Sequence, residues 1–155
     1  MKHLVLTSVA VAALLLSGCS KKNPEVLDTT SGNGNLSLAE RIQSELSNVY
    51  FDYDKFNIRA DQQGSINNNA ALLNQAGAES LNIKVEGNCD EWGSDQYNYA
   101  LGLKRAKAAK DALVKQGVNA DRISVVSYGE SNLVCSNGTR ECDAQNRRDE
   151  FKVGF

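Results

Sequence analysis

The sequence predicts a two-layer α/β domain in which helices cover a mixed four-stranded sheet, with elements in the order β-α-β-α-β-β. Apolar and polar residues alternate over 81–88, as in a strand that buries one face. A helical period runs from residue 94 to 116, and short β-branched or alternating runs precede and follow these two segments. The chain is 41% hydrophobic and 23% charged, which is typical of a globular protein.

The first residues have the pattern of an export signal. An apolar run from Leu4 to Leu16 follows a positively charged start, and it is shorter than the roughly 20 residues that a membrane-spanning helix needs. The next residues, Ser17-Gly18-Cys19, fit a lipobox, in which small residues precede a cysteine that receives a lipid. A plain secretory signal with an incidental Cys19 is the alternative. We predict a signal peptide over 1–18 and lipidation at Cys19.

Residues 19–47 are predicted to link this anchor to the domain. Ser20 is not the aspartate that resembles an inner-membrane retention signal, which favours the outer membrane. Lys, Asn, Thr, Ser and Gly dominate from there to about residue 35, as in a flexible tether. Ser37 and Glu40 form a capping-box pattern that predicts a short helix to about Leu46, with a frayed linker end as the alternative.

The domain is predicted over 48–155. A long helix begins at an N-cap, Ser94 or Asp95, and ends before Gly117. The remaining elements are a strand at 49–51, a helix at 59–76, a strand at 81–88, a strand at 123–128 and a final strand at 150–155.

Charge and histidine content exclude several functions. The net charge of −2 argues against a nucleic-acid binder. The one histidine, His3, lies in the segment that we expect to be removed, so the mature chain lacks the imidazole that most nucleophilic enzymes and zinc sites use. We therefore expect a binding protein without catalysis, metal or cofactor.

Three cysteines remain beside Cys19. Cys135 and Cys142 flank a short loop with a turn signal, and a disulfide there would contribute roughly 2.5 kcal/mol by closing the loop. We predict that bridge and a free Cys89. A thiol enzyme with Cys89 as nucleophile is the rival interpretation. It lacks a histidine base, and the neighbouring Asp90 and Glu91 would raise a thiol pKa.

An arginine on the apolar side of the long helix is the most informative feature of the sequence. Arg105 lies among Leu101, Ala108, Ala109, Ala112 and Leu113, and Asn98 is on the same side. A purely structural arginine would bind a buried carboxylate or strand-end carbonyls. A functional one would present its donors to a ligand carboxylate. Asp90 follows a strand end, where it could neutralise Arg105 or accept an ammonium group. The two charges together suit a zwitterion.

Five segments resemble, in order, the motifs of OmpA-like domains. They are Val49–Lys55, Val85–Gly93, Tyr97–Ala106, Ser127–Glu130 and Asn146–Arg148. Together with the lipobox, they are similar to those of peptidoglycan-associated lipoproteins of the Tol–Pal system.

That resemblance implies non-covalent binding of peptidoglycan through the meso-diaminopimelate of its stem peptide, which links the outer membrane to the wall and contributes to envelope integrity and cell division. The family's ligand contacts correspond to Asp54, Asp90, Asn98, Arg105 and Arg147. Arg148 should face the other way by strand alternation. TolB and other Tol proteins are the implied partners, and a module mainly for TolB is the alternative. Asn88 and Cys89 stand where most members have histidine and a small residue.

Overall fold

A computed structural model describes residues 36–154, and the four strands and four helices alternate along them. The elements are α1 (Leu38–Glu45), β1 (Val49–Tyr50), α2 (Gln63–Leu73), β2 (Ile83–Asn88), α3 (Asp95–Lys115), β3 (Ile123–Gly129), α4 (Arg140–Asn146) and β4 (Arg148–Val153). The predicted signal peptide, the lipidation site Cys19 and the tether to residue 35 lie outside the described residues.

The four strands form one mixed sheet in the order β1-β4-β2-β3. Strands β2 and β3 are parallel, while β4 runs antiparallel to both β1 and β2. The predicted two-layer α/β fold is therefore confirmed. Because the last strand lies between the first two, the C-terminal end of β2 is adjacent to the start of β4, where Gly87 pairs with Asp149.

Helix α4 is the element that the sequence analysis missed. It lies between β3 and β4, where we expected a loop, and the final strand begins at Arg148 instead of residue 150. The hydroxyl of Thr139 accepts a hydrogen bond from the backbone N–H of Cys142 at 3.2 Å and so caps the helix. The predicted disulfide joins Cys135 to Cys142 across 5.2 Å between Cα atoms, and it fastens α4 to the segment before it.

Helix α1 packs against the domain. Its capping box is confirmed, since the Ser37 hydroxyl and the Glu40 side chain each bind the other's backbone N–H. Ile42 is 1% exposed and belongs to the core. The Gln43 side chain donates to the Phe151 carbonyl at 2.9 Å and accepts from the Val153 N–H at 3.0 Å. The folded unit thus includes residues ahead of 48.

Helix α3 covers the sheet at very close range. Its predicted N-cap Ser94 is confirmed, and Gly117 follows its end with a φ of 92°. A Cβ on Gly87 would lie 1.9 Å from the carbonyl oxygen of Gly102, so only glycine permits this approach. Ala106 lies in the core, whereas the predicted core residues Ala108 and Ala112 are only partly buried. The close contact brings the next turn of α3 to the end of β2.

The opposite face of β2 is less solvated than its alternation suggests. Glu86 and Asn88, predicted to be on the polar face, are 5% and 0% exposed. Asn88 donates to the carbonyls of Glu86 and Arg148 and accepts from the Asn132 amide. Arg148 is 1% exposed and pairs with Glu150. A buried polar network therefore covers this end of the sheet.

Candidate functional site

The five predicted ligand residues come from four parts of the chain that meet at the C-terminal end of β2. Asp54 lies after β1, Asp90 follows β2, Asn98 and Arg105 are on α3, and Arg147 lies between α4 and β4. The insertion of β4 beside β2 explains why a residue near the C-terminus reaches this site. Arg148 turns to the other side of the sheet, as predicted, and there it binds Glu150 and the Asn132 carbonyl.

Arg105 is enclosed, which corrects the expected geometry. It is 0% exposed, and its guanidinium donates to the carbonyls of Asp52 at 3.2 Å, Lys55 at 2.8 Å and Asn88 at 2.9 Å. It also lies 5.2 Å from the centre of the Phe51 ring. These contacts agree with the alternative in which Arg105 is a structural residue bound by strand-end carbonyls. They form because the loop after β1 closes over the turn of α3 that carries the arginine. Burial lowers the pKa of Arg105.

Asp90 forms an ion pair with Arg147, whereas the sequence suggested that it would neutralise Arg105. The Asp90 carboxylate lies 2.9 Å from the Arg147 guanidinium, and their side chains are 5% and 14% exposed. Arg147 also donates to the Phe51 carbonyl at 3.1 Å. Asp90 contributes to the electrostatic surroundings of Arg105 without a hydrogen bond to it among the described residues. Arg147 is therefore the guanidinium of the site that reaches solvent.

Asn98 and Asp54 are each held by hydrogen bonds at the site. The Asn98 amide donates to the Asp90 carbonyl at 3.3 Å and to the Glu130 carboxylate. Its buried Oδ1 atom has no hydrogen-bond partner among the described residues, which leaves one acceptor unused beside the Asp90 loop. Asp54 adopts a φ of 57° and accepts from the Tyr97 hydroxyl. That hydrogen bond raises the pKa of Tyr97.

Cys89 is a buried cysteine whose contacts are structural. It is 1% exposed, its thiol donates to the Asn98 carbonyl at 3.2 Å, and Arg105 donates to its sulfur at 3.4 Å. Burial raises its pKa to about 11, opposing the effect of Arg105, so the thiolate that a nucleophile requires is disfavoured. Acidic neighbours were the expected cause of a raised pKa, and Asp90 does contribute, but burial has the larger effect. Cys89 is the free cysteine of residues 36–154, as predicted.

Asp149 is a buried carboxylate that the sequence analysis overlooked. It is 0% exposed, and neither carboxylate oxygen has a hydrogen-bond partner within residues 36–154. Burial raises its pKa well above the ordinary value, and the charge of Arg105 opposes that shift. Alternation along β4 places Asp149 on the same side as Phe151, so a strand predicted two residues longer would have revealed it.

A groove of about 410 Å³ opens beside the ion pair. It is lined by Tyr53, Trp92, Arg140, Asp143 and Arg147. Within residues 36–154 no cluster of three or more His, Cys, Asp or Glu side chains could hold a metal ion. None of the helices in this part of the chain has the length and apolar character needed to cross a bilayer.

The family model that matches this chain is that of the OmpA family, over residues 50–147. The chain belongs to the OmpA family. It is 38% identical over 144 residues to a peptidoglycan-associated lipoprotein of Mesorhizobium japonicum, covering 89% of this chain and 84% of that protein. A protein of the same name from Pasteurella multocida is 37% identical over 146 residues, covering 93% of this chain and 92% of the relative.

A solved structure agrees with these relationships. The crystal structure of the peptidoglycan-associated lipoprotein from Burkholderia pseudomallei is similar with a TM-score of 0.65 and 34% identity, covering 69% of this chain and 89% of that one. The predicted resemblance to the OmpA-like domains of such lipoproteins is therefore confirmed, together with the fold. The ligand roles of the individual residues stay predictions.

Proposed function

We propose that this OmpA-family domain binds peptidoglycan non-covalently through the meso-diaminopimelate of the stem peptide. The observation that carries the proposal is the Asp90–Arg147 ion pair, which is largely shielded from water but borders an open groove. The free end of diaminopimelate carries an ammonium and a carboxylate on one carbon. Each of these charges finds its opposite in this pair, so the ligand exchanges one salt bridge for two.

The remaining predicted residues have supporting roles in this scheme. Asn98 contributes its unused Oδ1 acceptor to the ammonium group, and Asp54 is held in place by the Tyr97 hydroxyl. Arg105 joins the β1 loop to the end of β2 through three carbonyls and so fixes the loop from which Asp90 projects. We propose that Arg147 makes the first contact with the ligand carboxylate and that Arg105 preorganises the site.

The cellular role follows from the anchor and the domain together. We propose that Cys19 carries the lipid, that the lipid lies in the outer membrane, and that residues 20–35 span the distance to the wall, within the Tol–Pal system. Such a link requires non-covalent binding and no catalysis. Replacing Cys19 with Ser in the full chain should prevent lipidation and remove the protein from the outer-membrane fraction.

The ligand is tested by calorimetric titration with a stem peptide that contains diaminopimelate and with the same peptide containing lysine. Lysine keeps the ammonium but lacks the second carboxylate, so its peptide should bind roughly a hundredfold more weakly, as expected when a shielded charge loses its partner. Equal affinities for the two peptides would contradict the proposal, because Arg147 would then have no role in recognition.

A protein partner at the same end of the domain is a second candidate function. Exposed aromatic side chains surround the site, and a neighbouring groove of about 680 Å³ includes Tyr99, Tyr128 and Glu130. Aromatic residues are enriched at protein interfaces. TolB is the partner that the family resemblance implies. Competition between TolB and a wall peptide for the purified domain would distinguish one shared site from two independent sites.

A further inference from the structure

Helix α4 and the residue that follows it carry three charged side chains that line the groove beside the Asp90–Arg147 pair. Arg140 and Asp143 are three residues apart on α4 and so lie on one face of it, and Arg147, just after the helix, lines the same groove. Arg147 is paired with Asp90. Asp143 accepts a hydrogen bond from the indole N–H of Trp92 at 2.8 Å. Arg140 has neither a hydrogen bond nor an ion pair with its side chain in residues 36–154.

The groove along this row has aromatic walls. Trp92 is 55% exposed and Tyr53 is 63% exposed. The bond to Asp143 fixes the orientation of the indole, and the disulfide to Cys142 fastens the helix that carries Asp143 and Arg140. Two aromatic walls and an unpaired guanidinium therefore line a groove that continues from the Asp90–Arg147 pair, since Arg147 belongs to both.

We propose that this groove is a second subsite, in which Arg140 binds a main-chain carboxylate of the same stem peptide while Trp92 and Tyr53 pack against the adjoining residue. The inference rests on the proposed binding of diaminopimelate. A stem peptide carries carboxylates besides those of its diamino acid, on the γ-linked glutamate and at the C-terminus. An unpaired guanidinium favours a carboxylate over an uncharged sugar ring, for which the aromatic walls alone would suffice.

The subsite distinguishes a peptide from the free diamino acid. Free meso-diaminopimelate should engage Asp90 and Arg147 but leave the groove empty, whereas the peptide fills both. Trp92 is the single tryptophan of the chain, so its fluorescence reports directly on this groove. We expect the peptide to change the emission spectrum and the free diamino acid to leave it nearly unchanged.

The decisive experiment combines a change in the protein with a change in the ligand. Arg140→Gln should weaken peptide binding about tenfold, as expected for one charge-assisted hydrogen bond, and leave the affinity for free diaminopimelate within about twofold. Amidating the responsible carboxylate should weaken binding to the wild-type chain by the same factor, with no further loss in the variant. Peptides amidated at the glutamate or at the C-terminus identify which carboxylate is bound.

Arg41→Gln is the matched control, because Arg41 is an exposed arginine on α1, which packs at the other end of β4. Equal binding of acid and amide peptides by both the wild-type chain and Arg140→Gln would overturn the subsite and leave the proposed function intact. The subsite would also be overturned if binding depended on Trp92 and on an attached sugar but not on Arg140. The groove would then bind a sugar ring of the glycan instead of a carboxylate. Failure of every diaminopimelate ligand to bind the wild-type chain would overturn both proposals.

Discussion

Two arginines at the same end of the sheet have opposite surroundings. Arg105 is 0% exposed and is bound by the backbone carbonyls of Asp52, Lys55 and Asn88. Arg147 is 14% exposed at its side chain and is paired with the carboxylate of Asp90. Backbone carbonyls in a closed network cannot leave when a ligand arrives, but a carboxylate side chain whose partner borders an open groove can exchange that partner. The difference supports the proposed roles, in which Arg105 supports the site and Arg147 recognises the ligand.

The largest expected effect is on stability at Arg105. Arg105→Met should lower the free energy of unfolding by about 3–5 kcal/mol, because one buried and two part-buried carbonyls lose their donors at once. Urea denaturation of the purified domain measures this. Arg105→Lys, which keeps the charge but supplies fewer directed donors, should recover part of the loss. A stability close to wild type for Arg105→Met would show that the guanidinium is not a support.

At Arg147, we expect the larger effect on ligand binding and the smaller effect on stability. Arg147→Gln should weaken binding of a diaminopimelate peptide roughly a hundredfold. It should also reduce stability by about 1–3 kcal/mol, since Asp90 is left buried without its ion partner. The double variant Arg147→Gln with Asp90→Asn should regain part of the stability and none of the binding, which separates the two effects. Retained affinity in either variant would contradict the recognition role of the pair.

The smallest expected effect concerns Asp149, the buried carboxylate next to Arg105. Its pKa is raised in the folded state, so its contribution to stability is most favourable below pH 3.8 and is lost as the pH rises above that value. Asp149→Asn cannot titrate. It should match wild type in acid and exceed it at neutral pH by an amount on the order of 1–3 kcal/mol.

Unfolding midpoints from pH 3.5 to 7.5 would measure that difference, with Asp111→Asn on the exposed side of α3 as the control. A difference that does not change with pH would contradict the burial of a titrating carboxylate. A neutral-pH loss in Asp149→Asn would instead indicate that the charge of Asp149 supports Arg105.

The sequence predicted most of the fold because the relevant signals are local. The periods of β2 and α3, the N-cap Ser94 and the capping box of α1 each depend on neighbouring residues, and each agrees with the structure. Helix α4 was missed because it has only seven residues and a short apolar pattern. Its cap at Thr139 was the available signal, and the turn residues ahead of it suggested a loop instead.

The sequence predicted that the site residues would come together but not which of them would pair. Family motifs pointed to Asp90, Arg105 and Arg147, and the structure brings all three to one end of β2. Which arginine meets Asp90 depends on the insertion of β4 beside β2 and on the closure of the loop after β1 over Arg105. Such register and loop contacts are set by tertiary packing and have no counterpart in local periodicity.

The most direct test of the account follows the two guanidinium groups while the ligand binds. Both Arg105 and Arg147 donate their Nε–H groups to backbone carbonyls, so each should give a protected side-chain signal in a ¹H–¹⁵N NMR spectrum. On titration with meso-diaminopimelate, we expect the Arg147 Nε signal to shift with saturation and the Arg105 signal to stay nearly constant. A saturating shift at Arg105 with none at Arg147 would contradict the central claim.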